Sequence, residues 1–155
     1  MATKKMAIIA TKGALDMAYP PLILASTAAA LGWEVQIFFT FYGLQLLRKD
    51  LSGIAISPIG NPAMPMPVPM PVVVSILPGM EAMATSMMKA KMKKGVASLE
   101  ELRSLCQEAE VKFIACQMTV DLFDFSKSDF IDGIEYGGAA TFMKFAGETD
   151  VCLFI

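Results

Sequence analysis

The sequence predicts a single α/β domain in which a mostly parallel sheet carries helices on both faces. Short apolar runs typical of buried strands alternate with longer helical segments, and this alternation indicates parallel strands joined by crossover helices. A length of 155 residues fits one domain that buries its own core without disulfides. We therefore interpret residues 1–155 as one domain, with a loop rich in methionine and proline at about 60–75.

The first predicted strand is Lys5–Ala10, an apolar run that is closed by the polar residues "TKG". An apolar helix is expected over residues 14–31. Two prolines, Pro20 and Pro21, are expected to interrupt this helix early, and Gly32 to end it.

A second parallel strand is predicted for residues 33–40, "WEVQIFFT", because the alternation there gives way to a wholly apolar run. A short amphipathic helix follows through Leu44, Leu46 and Leu47. Residues 53–60 are expected to form a short third strand. Residues 61–74 cannot form regular structure over most of their length, because proline imposes an extended backbone.

A helix is expected to begin near Pro78 and to end at Gly95. The next helix opens at Ser98, where Glu101 completes a Ser-x-x-Glu capping box, and runs to about Glu108. A strand follows at 111–115, "VKFIA", and the residues after Cys116 have a helical pattern. The remaining sequence predicts a helix from Gly137–Gly138 to about Gly147 and a buried terminal strand, "DVCLFI".

The composition indicates more apolar surface than one soluble subunit buries. Hydrophobic residues make up 55% of the chain and charged residues 18%, against roughly 45–50% and about 25% in an ordinary domain. A subunit interface is the favoured destination for this surplus. The rival is a membrane span, but the uncharged stretch 62–80 contains six prolines, and the apolar run 17–33 is short for a bilayer.

Charge and residue types exclude several function classes. A net charge of −2 without a basic tract argues against nucleic acid as a partner. The chain has no histidine, which excludes Ser-His-Asp and Cys-His catalysis and imidazole metal sites. No Cys-x-x-Cys spacing occurs, so neither zinc nor another cofactor is expected. The N-terminus lacks the apolar core of a signal peptide, so we expect a cytoplasmic protein with free thiols.

Candidate chemistry collects where the predicted parallel strands end. Three segments should meet there: residues 11–13, residues 40–43 and residues 116–118. Cys116 would lie at the start of a helix, whose amides lower the pKa of a thiol and bind anions. Lys12 is the expected nearby cation. The alternative is that Cys116 has a purely structural role, as a buried thiol that packs in the core.

The other two cysteines are expected to be structural. Cys152 lies in the middle of the terminal strand, where core packing is expected. Cys106 should lie at the opposite edge of the sheet from Cys116, because a strand of five residues spans about 16 Å. That separation is too long for a disulfide within one subunit.

Gly137–Gly138 is a weak signal for an anion site, since close helix packing explains two glycines equally well.

The methionine- and proline-rich segment is either a lid over Cys116 or an interface. Loops of this length in compact domains are usually functional or interfacial. Its candidate residues are Asn61, Met64 and Met66, because flexible methionine side chains can close an apolar pocket.

The motifs of this chain, taken together, resemble the DsrE/DsrF-like sulfurtransferase family in its single-subunit branch from sulfur-oxidising prokaryotes. The resemblance covers nearly the whole chain and depends on "FFTFYG", "GNPAMPMP", "LPGMEAMATSMMK", "VKFIACQMTVDLF", "DFIDGIEYGGAATF" and "CLFI".

This resemblance implies a flavodoxin-like subunit that assembles into a homo-oligomer, with a trimer favoured over a tetramer or hexamer. It also implies that Cys116 carries sulfur as a persulfide or thiosulfonate and passes it to a small TusA-like carrier protein. A second cysteine of the family falls on Cys106.

On this hypothesis, thiosulfate, tetrathionate or a persulfide donates sulfur to the Cys116 thiolate. The residues expected to hold the donor or shield the adduct are Lys12, Gly13, Tyr42, Gln117 and Met118. Two alternatives stay open. One is a non-catalytic oligomeric scaffold whose apolar loop contacts a partner or a membrane. The other is an anion- or nucleotide-binding module, although "TKGALD" lacks the glycines of a phosphate loop.

Overall fold

The computed structural model describes residues 2–56 and 77–155. Within these residues the strands are β1 (Lys5–Ala10), β2 (Glu34–Phe39), β3 (Lys112–Cys116), β4 (Glu135–Gly137) and β5 (Val151–Phe154). The α-helices are α1 (Leu15–Ala30), α2 (Met80–Met92), α3 (Leu99–Glu108), α4 (Gln117–Leu122) and α5 (Ala139–Ala146). Two 3-10 helices cover Phe41–Leu47 and Lys127–Asp129.

The strands form one sheet in the order β4-β3-β2-β1-β5, and every pair of neighbours is parallel. This confirms the predicted α/β class with a parallel sheet. From β1 to β4 the chain advances in one direction across the sheet, and α1 and α3 pack together on one face. The chain then returns to place β5 beside β1, and α5 packs on the other face. A reversal of direction moves the helix to the opposite face because such crossovers are right-handed.

Alternation along the strands divides the core into two clusters. On β1, Met6, Ile8 and Ala10 point into the large cluster beneath α1 and α3. Between them Ala7 points into a smaller cluster, which also holds Phe142 from α5. Since successive side chains of a strand face opposite ways, both faces of the central strands are apolar and buried.

Helix α1 continues through both of its prolines, so the expected early interruption was wrong. Pro20 and Pro21 lie inside the helix, which runs from Leu15 to Ala30. The helix tolerates both prolines because they lie near its start, where they remove only the two hydrogen bonds that would run to its first turn. The end of the helix follows the prediction, since Gly32 adopts a left-handed φ of 82°.

Helix α3 begins with the predicted capping box. The Glu101 amide donates to Ser98 Oγ at 3.2 Å, and the Ser98 amide donates to Glu101 Oε2 at 2.8 Å. These two reciprocal bonds satisfy donors that the first turn of a helix otherwise leaves unpaired.

The strands predicted from long apolar runs were confirmed, whereas the predictions for shorter segments were not. The short strand β4 was not predicted. In the expected strand 53–60, the described residues Gly53–Ile56 are not in a strand, and the remaining positions lie outside the described residues. Asn61, Met64 and Met66, the candidate lid or interface residues, also lie outside them.

Strand β5 is an edge strand, and only one of its faces is buried. Val151 and Leu153 pack against the large cluster. Cys152 is exposed, and Phe154 is 73% exposed. The expected core position of Cys152 was therefore wrong, because the covering helix α5 is only eight residues long and leaves this edge of the sheet open.

Across residues 2–56 and 77–155, none of the helices has both the length and the apolar character needed to cross a bilayer.

Candidate functional site

Cys116 is the last residue of β3 and the residue that immediately precedes α4. Strands β2 and β4 lie on either side of it, and Cys116 is paired in register with Gly137. Only 4% of the residue is exposed. The fold thus places this sulfur at the carboxyl edge of the parallel sheet, where ligands of such sheets bind.

One side of Cys116 is apolar. The residue belongs to the smaller core cluster with Ala7, Phe38, Ile114 and Phe142. The rings of Phe38 and Phe142 stack with their centroids 5.0 Å apart. Burial against this cluster disfavours a charged sulfur, so a thiolate here depends on polar groups on its other side.

The other side of Cys116 is a set of neutral hydrogen-bond donors. Burial raises the pKa of the Cys116 thiol, but the nearby hydroxyls of Thr119 and Thr40 and the amides of Thr119 and Met118 lower that pKa by more than burial raises it. The net result is a pKa below the ordinary value of a cysteine. Neither amide meets the geometry of an ordinary capping bond. As the second and third amides of α4, they are the amides that an N-cap side chain meets, and their proximity favours the anion of the sulfur.

Thr119 is the centre of this polar set. Its side chain is fully buried, with 0% exposure. Its Oγ1 lies 3.2 Å from Thr40 Oγ1 and accepts a hydrogen bond from the Phe41 amide at 3.2 Å. Phe41 has a φ of 48°, which is strained for a residue with a side chain. The strained backbone aims its N–H at Thr119.

The loops after β1 and β2 meet in close contact next to this set. A side-chain carbon at Gly43 would overlap the carbonyl group of Ala10, and one at Gly13 would overlap the carbonyl oxygen of Tyr42. Glycine is therefore required at both positions for the close approach of two backbones. The predicted meeting of the segments after β1, β2 and β3 is confirmed in this sense, with the β2 loop in the middle.

Lys12 is not beside Cys116. It follows β1, which is separated from β3 by β2, so the two chain segments are about 10 Å apart across the sheet. Lys12 is exposed. The groups that lower the Cys116 pKa are all neutral, and the segment 57–76 contains no charged residue at all.

The remaining residues predicted to bind the donor differ in exposure and in the partners of their side chains. Met118 and Tyr42 are 62% and 65% exposed, and the Tyr42 ring stacks on Phe123 at 5.9 Å. The Gln117 side chain turns away to donate to Asp121 Oδ1 at 2.8 Å. The amides directed at the sulfur belong to Met118 and Thr119, rather than to Gln117 and Met118 as expected.

Sequence reasoning missed Thr119 and Thr40 as members of the site. The sequence did contain a signal for Thr119, because the side chain of the third residue of a helix can form a hydrogen bond with the N-cap residue. In addition, an N-cap side chain accepts from the second and third amides of the helix, which are those of Met118 and Thr119. Thr40 lay in the predicted segment 40–43, but no local signal marked its role, since its contact with Thr119 joins residues 79 positions apart.

Cys106 lies deep in the core at the other end of β3. Its residue is 0% exposed, and its Sγ donates to the Leu22 carbonyl at 3.3 Å. Burial raises the pKa of the Cys106 thiol to about 11. The Val111 amide donates to the Cys106 carbonyl, which fixes Cys106 beside the start of β3 while Cys116 ends that strand. This is the expected separation, and it prevents a bond between the two sulfurs.

An exposed apolar rim runs along the short helix α4 and the adjoining start of the 3-10 helix Phe41–Leu47. It consists of Phe41, Tyr42, Met118 and Leu122, which are 44%, 65%, 62% and 58% exposed. A buried thiol of lowered pKa with hydrogen-bond donors on one side and exposed apolar side chains outside is suited to hold a covalently attached atom and to present it to a partner surface.

Comparisons with known proteins agree on one family. The model of the DsrE/DsrF/DrsH-like family matches residues 2–154. The chain is 69% identical over 160 residues to "Sulfur carrier protein DsrE2" of Allochromatium vinosum, and the match covers 100% of both chains. It is also 35% identical over 159 residues to "Uncharacterized protein YrkE" of Bacillus subtilis, covering 99% of this chain and 98% of that one.

The structure resembles solved structures in fold. The crystal structure of the ychN protein from E. coli matches with a TM-score of 0.56 at 12% sequence identity, covering 99% of this chain and 100% of that chain. This identity supports the same fold and nothing more specific.

Proposed function

Because the chain belongs to the DsrE/DsrF/DrsH-like family, we propose that it is a sulfur carrier that holds sulfane sulfur on Cys116. The observation that carries this proposal is the set of neutral donors that lowers the pKa of a buried thiol at the end of β3. A relative that is 69% identical along its full length bears the name of a sulfur carrier protein, which supports the same role here.

Loading begins with attack by the Cys116 thiolate on the sulfane sulfur of a donor. With a persulfide donor, a bond forms between Sγ and the outer sulfur, and the donor leaves as a thiolate that takes the electron pair of the broken bond. With thiosulfate, sulfite leaves. With tetrathionate, thiosulfate leaves and Cys116 retains a thiosulfonate. No metal or organic cofactor takes part in any of these steps.

The donor is held by the groups around the start of α4. The Met118 amide faces the sulfur, and the Gln117 amide lies one residue before it in the same turn. Tyr42 shields the adduct from water. Lys12 and Gly13 belong to the neighbouring loop after β1, and the exposed Lys12 attracts an anionic donor to this edge without contacting the sulfur.

We assign the recipient as a small TusA-like carrier protein in the cytoplasm. The apolar rim of Phe41, Tyr42, Met118 and Leu122 gives such a partner a surface next to the loaded sulfur. Cys106 takes no part in the transfer. It contributes to core packing instead.

Intact-protein mass spectrometry after treatment with a small-molecule persulfide, thiosulfate or tetrathionate tests the proposal. We expect the native protein to gain either one sulfur atom or an S2O3 group, and the Cys116→Ser variant to gain neither. Cys152→Ser is the matched control, because Cys152 is exposed on the same face of the sheet and its loss should leave loading unchanged. Loading of the Cys116→Ser variant would contradict the proposal.

A non-catalytic scaffold is the second candidate, and the exposed apolar rim favours it. A scaffold docks its partner through that rim without any use of the sulfur. It predicts that Cys116 reacts no faster with alkylating reagents than a free thiol, and that Cys116→Ser binds a TusA-like carrier as tightly as the native protein does.

A further inference from the structure

Cys116 has no ionised or imidazole partner within the described residues. The chain contains no histidine, and the segment 57–76 contains no charged side chain. The hydrogen-bond donors at the sulfur are hydroxyls and amides. Two threonine hydroxyls are therefore the side-chain donors at this sulfur, where many reactive cysteines have a histidine.

The hydrogen bonds of Thr119 restrict where its own proton can point. A hydroxyl has one proton and two acceptor sites. The Phe41 amide occupies one acceptor site of Thr119 Oγ1, at 3.2 Å. Thr40 Oγ1 lies 3.2 Å away and either donates to Thr119 or accepts from it. If Thr40 gives its single proton to Thr119 rather than to the sulfur, both acceptor sites are filled, and the Thr119 proton has the sulfur as its remaining partner.

We propose that the hydroxyls of Thr40 and Thr119 act as one hydrogen-bonded unit that makes Cys116 Sγ a good leaving group when sulfur is released. Thr119 is a catalytic residue that touches the reacting sulfur, and Thr40 is a positioning residue that directs the Thr119 proton. This inference depends on the sulfur-carrier function proposed above. The alternative is that each hydroxyl donates to the sulfur separately.

The release step shows why the leaving group matters. The acceptor thiolate forms a bond to the outer sulfur of the Cys116 persulfide, and the bond between that sulfur and Sγ breaks. The electron pair of the broken bond remains on Sγ, which becomes a thiolate that accepts the Thr119 proton in a hydrogen bond. A thiol of lower pKa leaves faster, whereas its nucleophilicity falls only in part. The unit therefore assists release more than it hinders loading.

Charged groups on the surrounding elements do not explain the same effect. The ionisable groups on the elements and loops packed around Cys116 are Lys5, Lys12, Glu34, Tyr42, Lys112, Asp121, Glu135, Tyr136 and Lys144. Burial and hydrogen bonds from neutral groups set the direction of the Cys116 pKa, and none of these ionisable groups contributes to it.

A double-mutant cycle tests whether the two hydroxyls form a unit. Thr40→Val, Thr119→Val and the double variant are made with Cys152→Ser, and the rate of alkylation of Cys116 by iodoacetamide is followed against pH. We expect Thr119→Val to raise the apparent pKa and to slow alkylation at pH 7 about threefold, because the smaller thiolate fraction is offset in part by a more nucleophilic thiolate. The double variant should behave like Thr119→Val, because Thr40 acts through Thr119. If the pKa shifts of the two single variants add up in the double variant, the proposal that the two hydroxyls act as one unit is wrong.

Three further variants keep this cycle interpretable. Thr119→Ser and Thr40→Ser retain a hydroxyl and should restore the native pH profile. Thr85→Val removes another buried threonine, one whose Oγ1 accepts from the Ile56 amide at 3.2 Å, and should leave the Cys116 profile unchanged. If Thr119→Val does not fold, Thr40→Val alone decides, because an unchanged Cys116 profile in that variant would overturn the proposal.

Release is measured on the persulfide form of the protein with excess cyanide. Cyanide attacks the outer sulfur and forms thiocyanate, while Cys116 returns to the thiolate. We expect Thr119→Val and Thr40→Val to release thiocyanate several-fold more slowly than the native protein. Equal release rates would overturn the leaving-group role.

These measurements separate the two proposals. A native protein that takes up no sulfur overturns the sulfur-carrier function, and with it the release step. Normal loading with additive pKa shifts or equal release rates overturns only the role of the two hydroxyls.

Discussion

The three cysteines lie in three environments, and each environment predicts a different reactivity. Cys116 is nearly buried but faces hydrogen-bond donors, Cys106 is sealed in the core, and Cys152 is exposed on an edge strand. The thiolate is the reactive form of cysteine, so the pKa and the access of each sulfur decide its behaviour.

At Cys116 we expect reactivity to persist at lower pH than at Cys152 in the same molecule. The Cys116 pKa is lowered, so at a given pH its thiolate fraction is larger than that of an ordinary thiol. Because the stabilising donors are neutral, salt should change its rate of reaction with uncharged iodoacetamide very little. Peptide mapping after brief labelling at pH 6–8 measures both sites. Labelling of Cys152 ahead of Cys116 across this whole range would contradict the site.

Cys106 should make the native fold less stable at alkaline pH. Its folded pKa of about 11 lies above the value of 9.0 for a free thiol. Between these values the unfolded chain has released the proton and the folded chain still holds it, so stability falls as pH rises from about 9 to 11. In Cys106→Ala this dependence should weaken, because the titrating thiol is gone.

The same variant should lose about 1–2 kcal/mol of stability at pH 7, because a buried sulfur and its hydrogen bond are removed. Urea denaturation at pH 7 and pH 10 measures both effects. Tyr19 and Tyr136, whose pKa values are raised by burial, also titrate in this range, so the comparison is between native protein and variant. Equal alkaline losses in the two proteins would contradict the role of Cys106.

Among the structural elements, the 3-10 helix Phe41–Leu47 positions the site. Its first residue donates to Thr119, and Gly43 packs against the end of β1. At its other end, the buried Arg103 of α3 donates to the carbonyls of Leu46 and Arg48 at 2.9 and 2.6 Å. This short helix is therefore held by β1, α3 and α4 together.

Gly43→Ala should destabilise the protein by roughly 1–3 kcal/mol, because the added carbon overlaps the backbone of Ala10. It should also slow alkylation of Cys116, since the shifted helix moves Thr40 and Phe41. Gly53→Ala is the matched control, because nothing lies within 4 Å of a carbon added there. Urea denaturation and alkylation rates measure the two effects, and equal stability of both variants would show that the close approach is not required.

Helix α3 depends on its capping box. Ser98→Ala should cost about 1 kcal/mol, because the Glu101 amide loses its acceptor. Ser98→Asp retains an acceptor and should keep most of the native stability. The midpoint of urea denaturation distinguishes the two variants, and a Ser98→Ala midpoint equal to that of the native protein would contradict the contribution of the cap.

At the scale of the whole molecule, apolar surface remains uncovered on the subunit. Exposed large hydrophobic side chains include Leu31, Tyr42, Met118, Met143 and Phe154. With 55% hydrophobic residues in the chain, this exposure agrees with the homo-oligomer expected from the sequence.

Light scattering coupled to size exclusion should therefore give a mass of a trimer, or of a larger closed assembly, rather than that of one subunit. Phe154→Glu should reduce the assembly if the open edge beside β5 lies in the interface, and Leu31→Glu tests the opposite end of the subunit in the same way. A monomer at micromolar concentration in the native protein would contradict the assembly.

The parts of the fold that follow local patterns were predictable. Apolar runs identified β1, β2 and β3, and the Ser98–Glu101 spacing identified the start of α3. The short strand β4 was missed, because three residues carry too little pattern to separate a strand from a loop. The burial of Cys152 was wrong because its strand lies at an edge, and strand order cannot be read from an apolar run.

The sequence by itself determined the fold class, the family and the cysteine at the junction of a strand and a helix. These features depend on residues close together in the chain, where hydrophobic period, capping and motif act directly. Only the tertiary structure decided how the Cys116 sulfur is held. Thr40 meets Thr119 because β2 and β3 are neighbours, and Lys12 is distant from Cys116 because β2 lies between β1 and β3. The order of strands in a sheet results from packing of the whole chain, so contacts across it have no local signature.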